Sequence, residues 1–175
     1  MDMDLTQPQT DEEARALMER FVRGYYTASP RDNFDNALCR ATVFTSASIE
    51  TATTPARATF HLTIPEPYGN NPTGRTVHGG AIAMFFDNIT SLLMFAVKKW
   101  WDGGSGVSRT LRVTYFRPAL RGEAVVIEAE VVGYGKRNAT IRGIMRRVKD
   151  GAVLATCQHD KARADGDQLF GVQKL

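Results

Sequence analysis

The segment GGAIAMFFDNITSLLMFAV (79–97) restricts the folds open to this chain more than any other feature. Its apolar residues fall on all sides of a helix rather than along one stripe, and such a helix must be covered all round. The pattern predicts a helix from about Gly80 to Trp101, stopped by Asp102-Gly103-Gly104. A membrane span is not expected, because the best candidate, AIAMFFDNITSLLMFAV, is 17 residues long and carries Asp87 and Asn88 near its middle.

The cover has to come from the rest of the chain, which reads mostly as strands. ATVFTSASIE (41–50) and ARATFHLTIP (56–65) are rich in β-branched residues, and EPYGNNPTGRT (66–76) is punctuated as a loop. Four further strand runs follow at 106–117, 123–133, 137–148 and 152–163, separated by Gly122, Gly133-Tyr134-Gly135 and Lys149-Asp150-Gly151. Short turns predict an antiparallel meander. Near the N-terminus, Thr10 with Glu13 signals a capping box, and Ala14, Leu17, Met18, Phe21 and Val22 follow at helical spacing up to Gly24 or Ser29-Pro30. The expected class is α+β: an antiparallel sheet of five or six strands wrapped around a long central helix, a hot-dog arrangement, with an extra N-terminal helix. Residues 1–30 form the tail and that helix, and residues 31–175 the main domain.

A chain of 175 residues with 43% hydrophobic and 9% aromatic residues is ordinary for one globular domain. The net charge of +3 gives no reason to expect a nucleic-acid partner, although ten basic residues lie between Arg109 and Lys149 against Glu123, Glu128 and Glu130. They read either as solvated strand faces and turns or as a phosphate-binding patch. Cys39 and Cys157 form no C-x-x-C pattern and read as reduced thiols. The opening MDMDLTQPQTDEE lacks the apolar stretch of a secretory signal, so a cytoplasmic location is expected. His61 and His159 show no metal-ligand spacing, and no G-x-S-x-G elbow is present, so neither a metal site nor a serine esterase is expected.

One carboxylate then needs a reason. Asp87 stands among Met84, Phe85, Phe86 and Ile89, and charged groups are buried only when paired or used. The preceding His78-Gly79-Gly80 step begins the helix, where backbone N–H groups lack partners and the dipole favours negative charge. Such donors suit a carbonyl oxygen becoming an oxyanion, and a carboxylate within reach can deprotonate water or attack directly. The blander reading makes Asp87 a structural hydrogen-bonding group near Ser91, and His78 a loop-orienting one.

HGGAIAMFFDN (78–88) together with SGVSRTLRVTYFRPALRGEAVVIEAEVVGYGK (105–136) resembles the hot-dog thioesterase superfamily, in particular its phenylacetate-pathway/THEM2-like acyl-CoA thioesterase group. The resemblance spans about residues 40–163. It implies that Gly79 supplies the oxyanion N–H and Asp87 the base or nucleophile. It further implies that an Asn before His-Gly-Gly, Asn71 with Asn70 competing, helps hold the carbonyl, and that Ser108 assists the water. His78, Gly80, Thr110 and Tyr115 are the associated substrate-binding candidates, with Lys136 and Arg137 placed to meet coenzyme A phosphates or to form a plain solvated hairpin. The implied substrate is an acyl-CoA or acyl-carrier-protein thioester, with no cofactor beyond the coenzyme A of the substrate, and the implied assembly is a homodimer or a dimer of dimers. Two alternatives stand beside it: a hot-dog hydratase or dehydratase using a histidine, and a module that binds acyl groups or a carrier protein without turnover.

Overall fold

A computed structural model describes residues 7–28, 35–70, 74–97 and 105–163. Helix α1 (Asp11–Ala28) and a one-and-a-half-turn helix α2 (Asn36–Ala41) precede strands β1 (Val43–Ser48) and β2 (Arg57–Thr63). The central helix α3 (Gly79–Leu93) follows, then β3 (Val107–Tyr115), β4 (Ala124–Tyr134), β5 (Asn138–Arg147) and β6 (Val153–Ala162). All six strands form one antiparallel sheet in the order β1-β2-β4-β5-β6-β3. This is the hot-dog architecture, with α3 as the enclosed helix.

The four C-terminal strands are not one simple meander. Strands β4, β5 and β6 are joined by hairpins, but β3 crosses to the far edge and pairs with β6 instead of β4. The reason is that β2 already occupies the edge of β4, pairing along its whole length from Arg57↔Glu130 to Thr63↔Ala124. Short turns specify β4-β5-β6; they carry no information about where β3 goes.

The sheet alternates as a half-buried sheet should. Phe60 and Leu62 of β2, Val125 and Ile127 of β4, Ile141 and Met145 of β5 and Cys157 of β6 are buried against α3. On the opposite face, Arg57 and Arg142 share Glu130, and Arg146 pairs with Glu128. Much of the basic excess is thus a ladder of cross-strand ion pairs on an exposed face. Gly143 marks the closest approach of sheet to helix: a Cβ there would lie 2.8 Å from Cys157 Sγ and 2.9 Å from Phe86 Cδ1. Gly143→Ala is therefore expected to destabilise by about 1–3 kcal/mol, since a fully buried Phe86 must move. A urea titration checks this as a lowered midpoint at unchanged slope.

Two elements differ from expectation. Helix α3 ends at Leu93 and tightens into a 3₁₀ turn, Met94–Ala96, before residues 98–104, which lie outside the described residues. Met94, Phe95 and Ala96 are all buried, and Phe95 packs on Phe21 of α1 with ring centroids 4.9 Å apart, so packing draws the chain out of the helix axis. Nor is α3 enclosed on every side. Ala83, Met84, Asp87, Asn88 and Ser91 form a stripe that remains half-exposed. Helix α2, too short for periodicity to reveal, is held by buried Leu38, whose N–H donates to the Tyr68 hydroxyl at 3.1 Å. At α1, Thr10 Oγ1 accepts from the Glu13 N–H, while Glu13 reaches back to the Gln9 N–H. Ala14, Leu17 and Met18 then bury that helix in the common core.

Candidate active site

The half-exposed stripe of α3 meets the C-terminal end of β6 and the start of β3. Asp87, with a side chain 42% exposed, accepts through Oδ1 a 2.6 Å hydrogen bond from Ser108 Oγ. A β-bulge makes this possible. The register runs Leu111↔His159 and Thr110↔Asp160 but then Ser108↔Lys161, so Arg109 is the extra residue. Without it, alternation would turn Arg109 rather than Ser108 towards the helix. Arg109 instead donates to Asn138 Oδ1.

Two residues beneath Ser108 carry no motif that sequence reading could use. His159, 0% exposed, lies with Nε2 2.9 Å from Ser108 Oγ and 3.3 Å from Asp87 Oδ1, and with Nδ1 2.6 Å from Thr90 Oγ1. Thr90 Oγ1 gives its one proton to the Phe86 carbonyl at 2.6 Å, so His159 Nδ1 is the donor to Thr90. The neutral ring turns Nε2 as an acceptor to Ser108 Oγ, whose single proton faces both Nε2 and Asp87 Oδ1. Lys161, 2% exposed, donates to Ser91 Oγ at 2.7 Å and to Ser108 Oγ at 3.4 Å. Burial, helped by the Lys161 charge, pushes the imidazole down to about 4 against the pull of Asp87, so His159 is neutral at pH 7. Burial pushes the Lys161 ammonium down to about 8, with Asp87 opposing. Only alternation along β6 hinted at these two, since His159 and Lys161 share the face of Cys157.

The other end of α3 holds the glycine step. His78 is the N-cap, and its Nδ1 accepts the Gly80 N–H at 2.9 Å. The Ala81 N–H goes to the His78 carbonyl. That leaves the Gly79 N–H without an acceptor among the described residues, and Gly80 without a free N–H. Tyr115 donates its hydroxyl to the Gly79 carbonyl at 2.8 Å, and a Cβ on Gly79 would sit 3.4 Å from that ring. Tyr115 thus buttresses the turn. Thr110 pairs with Asp160 on the opposite face of the sheet from Ser108, and in this chain it is not part of the cluster. Asn71 lies outside the described residues; Asn70 bonds through its backbone to Thr76 and Gly74. Lys136 and Arg137 form the β4–β5 turn, at the sheet end where Asn138 and Val107 both face Ala162.

Asp87, Ser108 and Lys161 open into a cavity of about 240 Å³. Its apolar wall is made by Phe21 and Val22 of α1, Leu38 of α2, and Ile89 and Leu92 of α3. Met94, Phe95, Phe85 and Phe86 are core residues and take no part in that wall. Fold and site together define a hot-dog protein with a carboxylate fixed by a serine beside an apolar pocket.

Residues 74–154 match the Thioesterase superfamily. The chain is 30% identical over 129 residues to human acyl-coenzyme A thioesterase 13, covering 74% of this chain and 84% of that protein. The structure resembles zebrafish thioesterase superfamily member 2 with a TM-score of 0.68 at 22% identity, over 85% of this chain and 97% of that one. It resembles the E. coli PaaI protein of the phenylacetic acid degradation operon with a TM-score of 0.59 at 15% identity, over 85% and 98% of the two chains. The chain belongs to the thioesterase superfamily and is a thioester hydrolase.

Proposed function

We propose that this chain hydrolyses acyl-coenzyme A thioesters, with Asp87 as general base in a site completed by Gly79 of a second copy. The observation that carries the reading is the state of the Asp87 carboxylate. Ser108 ties Oδ1, while Oδ2 has no partner among the described residues and is free to hold a water. The water oxygen attacks the thioester carbonyl carbon as its proton passes to Oδ2. The resulting oxyanion is met by a free helix-terminal N–H, the role that Gly79 suits. Collapse breaks the C–S bond, and the proton on Asp87 moves to the departing sulfur, giving a carboxylic acid and a thiol. His159 has no exposure and touches Ser108 rather than substrate, so a hydratase built on a histidine finds no candidate there; His78 is engaged as a cap.

One chain cannot bring Asp87 and Gly79 to one carbonyl. Eight helical residues separate them by roughly 12 Å, whereas each must reach its reacting atom within about 3 Å. Strand β3 supports a partner. It is a nine-residue edge strand that carries Ser108, exposed along most of its length, with Val107 47% and Tyr115 49% exposed. A free edge of that kind pairs readily with another strand. Two β3 strands related by a twofold would place the half-exposed stripes of both α3 helices alongside each other.

Coenzyme A as the thiol is supported by the name of the human relative, and Lys136 and Arg137, at the active-site end of the sheet, suit its phosphates. Replacing both with Ala is expected to raise KM for acyl-CoA, more so at low salt, with kcat nearly unchanged. Steady-state kinetics at two salt concentrations read this directly. The function itself is tested by free-thiol release from a panel of acyl-CoAs; binding without thiol release would leave only a non-catalytic acyl module.

A further inference from the structure

The acyl pocket contains a carboxylate that the chemistry above does not use. The wall of the cavity that Ser108 lines also includes Asp35, just ahead of α2. Asp35 makes no side-chain capping bond to α2. Its Oδ2 accepts from Asn88 Nδ2 at 3.3 Å, and no Lys, Arg or His lies within ion-pair distance of it among the described residues. Oδ1 has no partner among them. The same cavity is lined by apolar Phe21, Val22, Leu38 and Leu92 and by polar Thr42, Ser91, Ser105 and Lys161, none of which bonds the Asp35 carboxylate. Its charge is also felt by Cys39 and Tyr68, whose ionisation it opposes.

A carboxylate at an apolar wall with one neutral partner retains acceptor capacity that its surroundings leave unmet. In ligand pockets the few polar groups on a mostly apolar wall fix orientation and specificity. Asn88 follows Asp87 directly on α3, so the Asp35–Asn88 pair is held at a fixed offset from the reacting carboxylate by one rigid helix. Taking the hydrolase reading as its base, we infer that Asp35 and Asn88 form a specificity site for acyl groups that carry a hydrogen-bond donor, a hydroxyl or an ammonium, several bonds beyond the thioester carbonyl. A plain alkyl group would enter the same pocket but offer Asp35 Oδ1 no donor in place of the water it displaces, and that mismatch is what discriminates.

The experiment compares straight-chain acyl-CoAs of increasing length with their terminal hydroxy and terminal amino analogues, read as kcat/KM. A hydrogen bond to a charged group predicts a preference of about 10- to 100-fold for one donor-bearing analogue at the length that spans the pocket. Asp35→Leu is expected to abolish that preference while leaving turnover of the plain substrate intact or raised, with circular dichroism confirming the fold. Asp35→Asn separates the donors, since it keeps an acceptor for a hydroxyl but removes the charge an ammonium needs. Should Asp35→Leu fail to fold, Asn88→Leu, which strips its one side-chain partner among the described residues, is expected to shift the length optimum or the preference. Equal kcat/KM for plain and donor-bearing substrates at every length overturns the inference while leaving the hydrolase reading intact. A preference that survives in the folded Asp35→Leu variant overturns it too. Thiol release from none of the substrates overturns the hydrolase reading, and this site falls with it.

Discussion

Asp87→Asn lowers kcat by about 10²–10⁴-fold, the scale for loss of a general base, while the fold survives. The amide is isosteric and can still accept from Ser108 through its oxygen, so the contact with β3 persists and the exposed position tolerates a neutral group. What disappears is the capacity of the second oxygen to take a proton from water. KM should change little, because the carboxylate acts in the transition state rather than in binding. Thiol-release kinetics on the purified variant, with its melting curve overlaid on wild type, decide the point. Retention of most wild-type turnover would remove Asp87 from the chemistry and return it to a structural carboxylate.

The second large effect is an all-or-none complementation. Gly79→Pro removes one N–H and is compatible with the helix, because proline suits the first helical position. His78 already has the extended backbone (φ −63°, ψ 134°) that a following proline requires. Asp87→Ala removes the base. Each variant alone is expected to be folded and inactive. Mixed in equal amounts under subunit exchange, about half of the dimers are heterodimers with one of two sites rebuilt, so about a quarter of wild-type turnover returns. A mixture that stays inactive after native mass spectrometry has shown heterodimers places both groups within one chain and rules out the shared site.

How far the sequence carries differs from element to element. Strands β4, β5 and β6 fall within a residue or two of the spans read from alternation and turns, because each is half-buried and each hairpin is set by local residues. The capping box and the apolar face of α1 were equally local. Asp87 stood out as a lone carboxylate in an apolar helix, and Gly79 and His78 as a helix start. Ser108 is implied by the family resemblance alone, and its orientation depends on the bulge at Arg109, which is a matter of pairing and has no signature in one strand.

His159 and Lys161 carry no local signal of their role, for a physical reason. A histidine and a lysine alternating on a strand read as ordinary polar positions, and sharing a face with Cys157 does not reveal that this face is the inner one beneath α3 and β3. Their burial, and with it the depressed imidazole and ammonium, is created by elements distant in sequence, with Thr90 and Ser91 on one side and Ser108 on the other. The position of β3 is of the same kind. It pairs with β6 because β2 has taken the edge of β4, and that exclusion exists only in the assembled sheet. The sequence by itself determined the elements, the helix to be enclosed and the carboxylate to be explained, since those rest on periodicity, caps and burial cost within short stretches. Only the tertiary structure decided which strand lies beside Asp87, which buried groups hold Ser108, and which wall the acyl pocket has, because each is a contact between segments whose separation along the chain leaves no mark in either one.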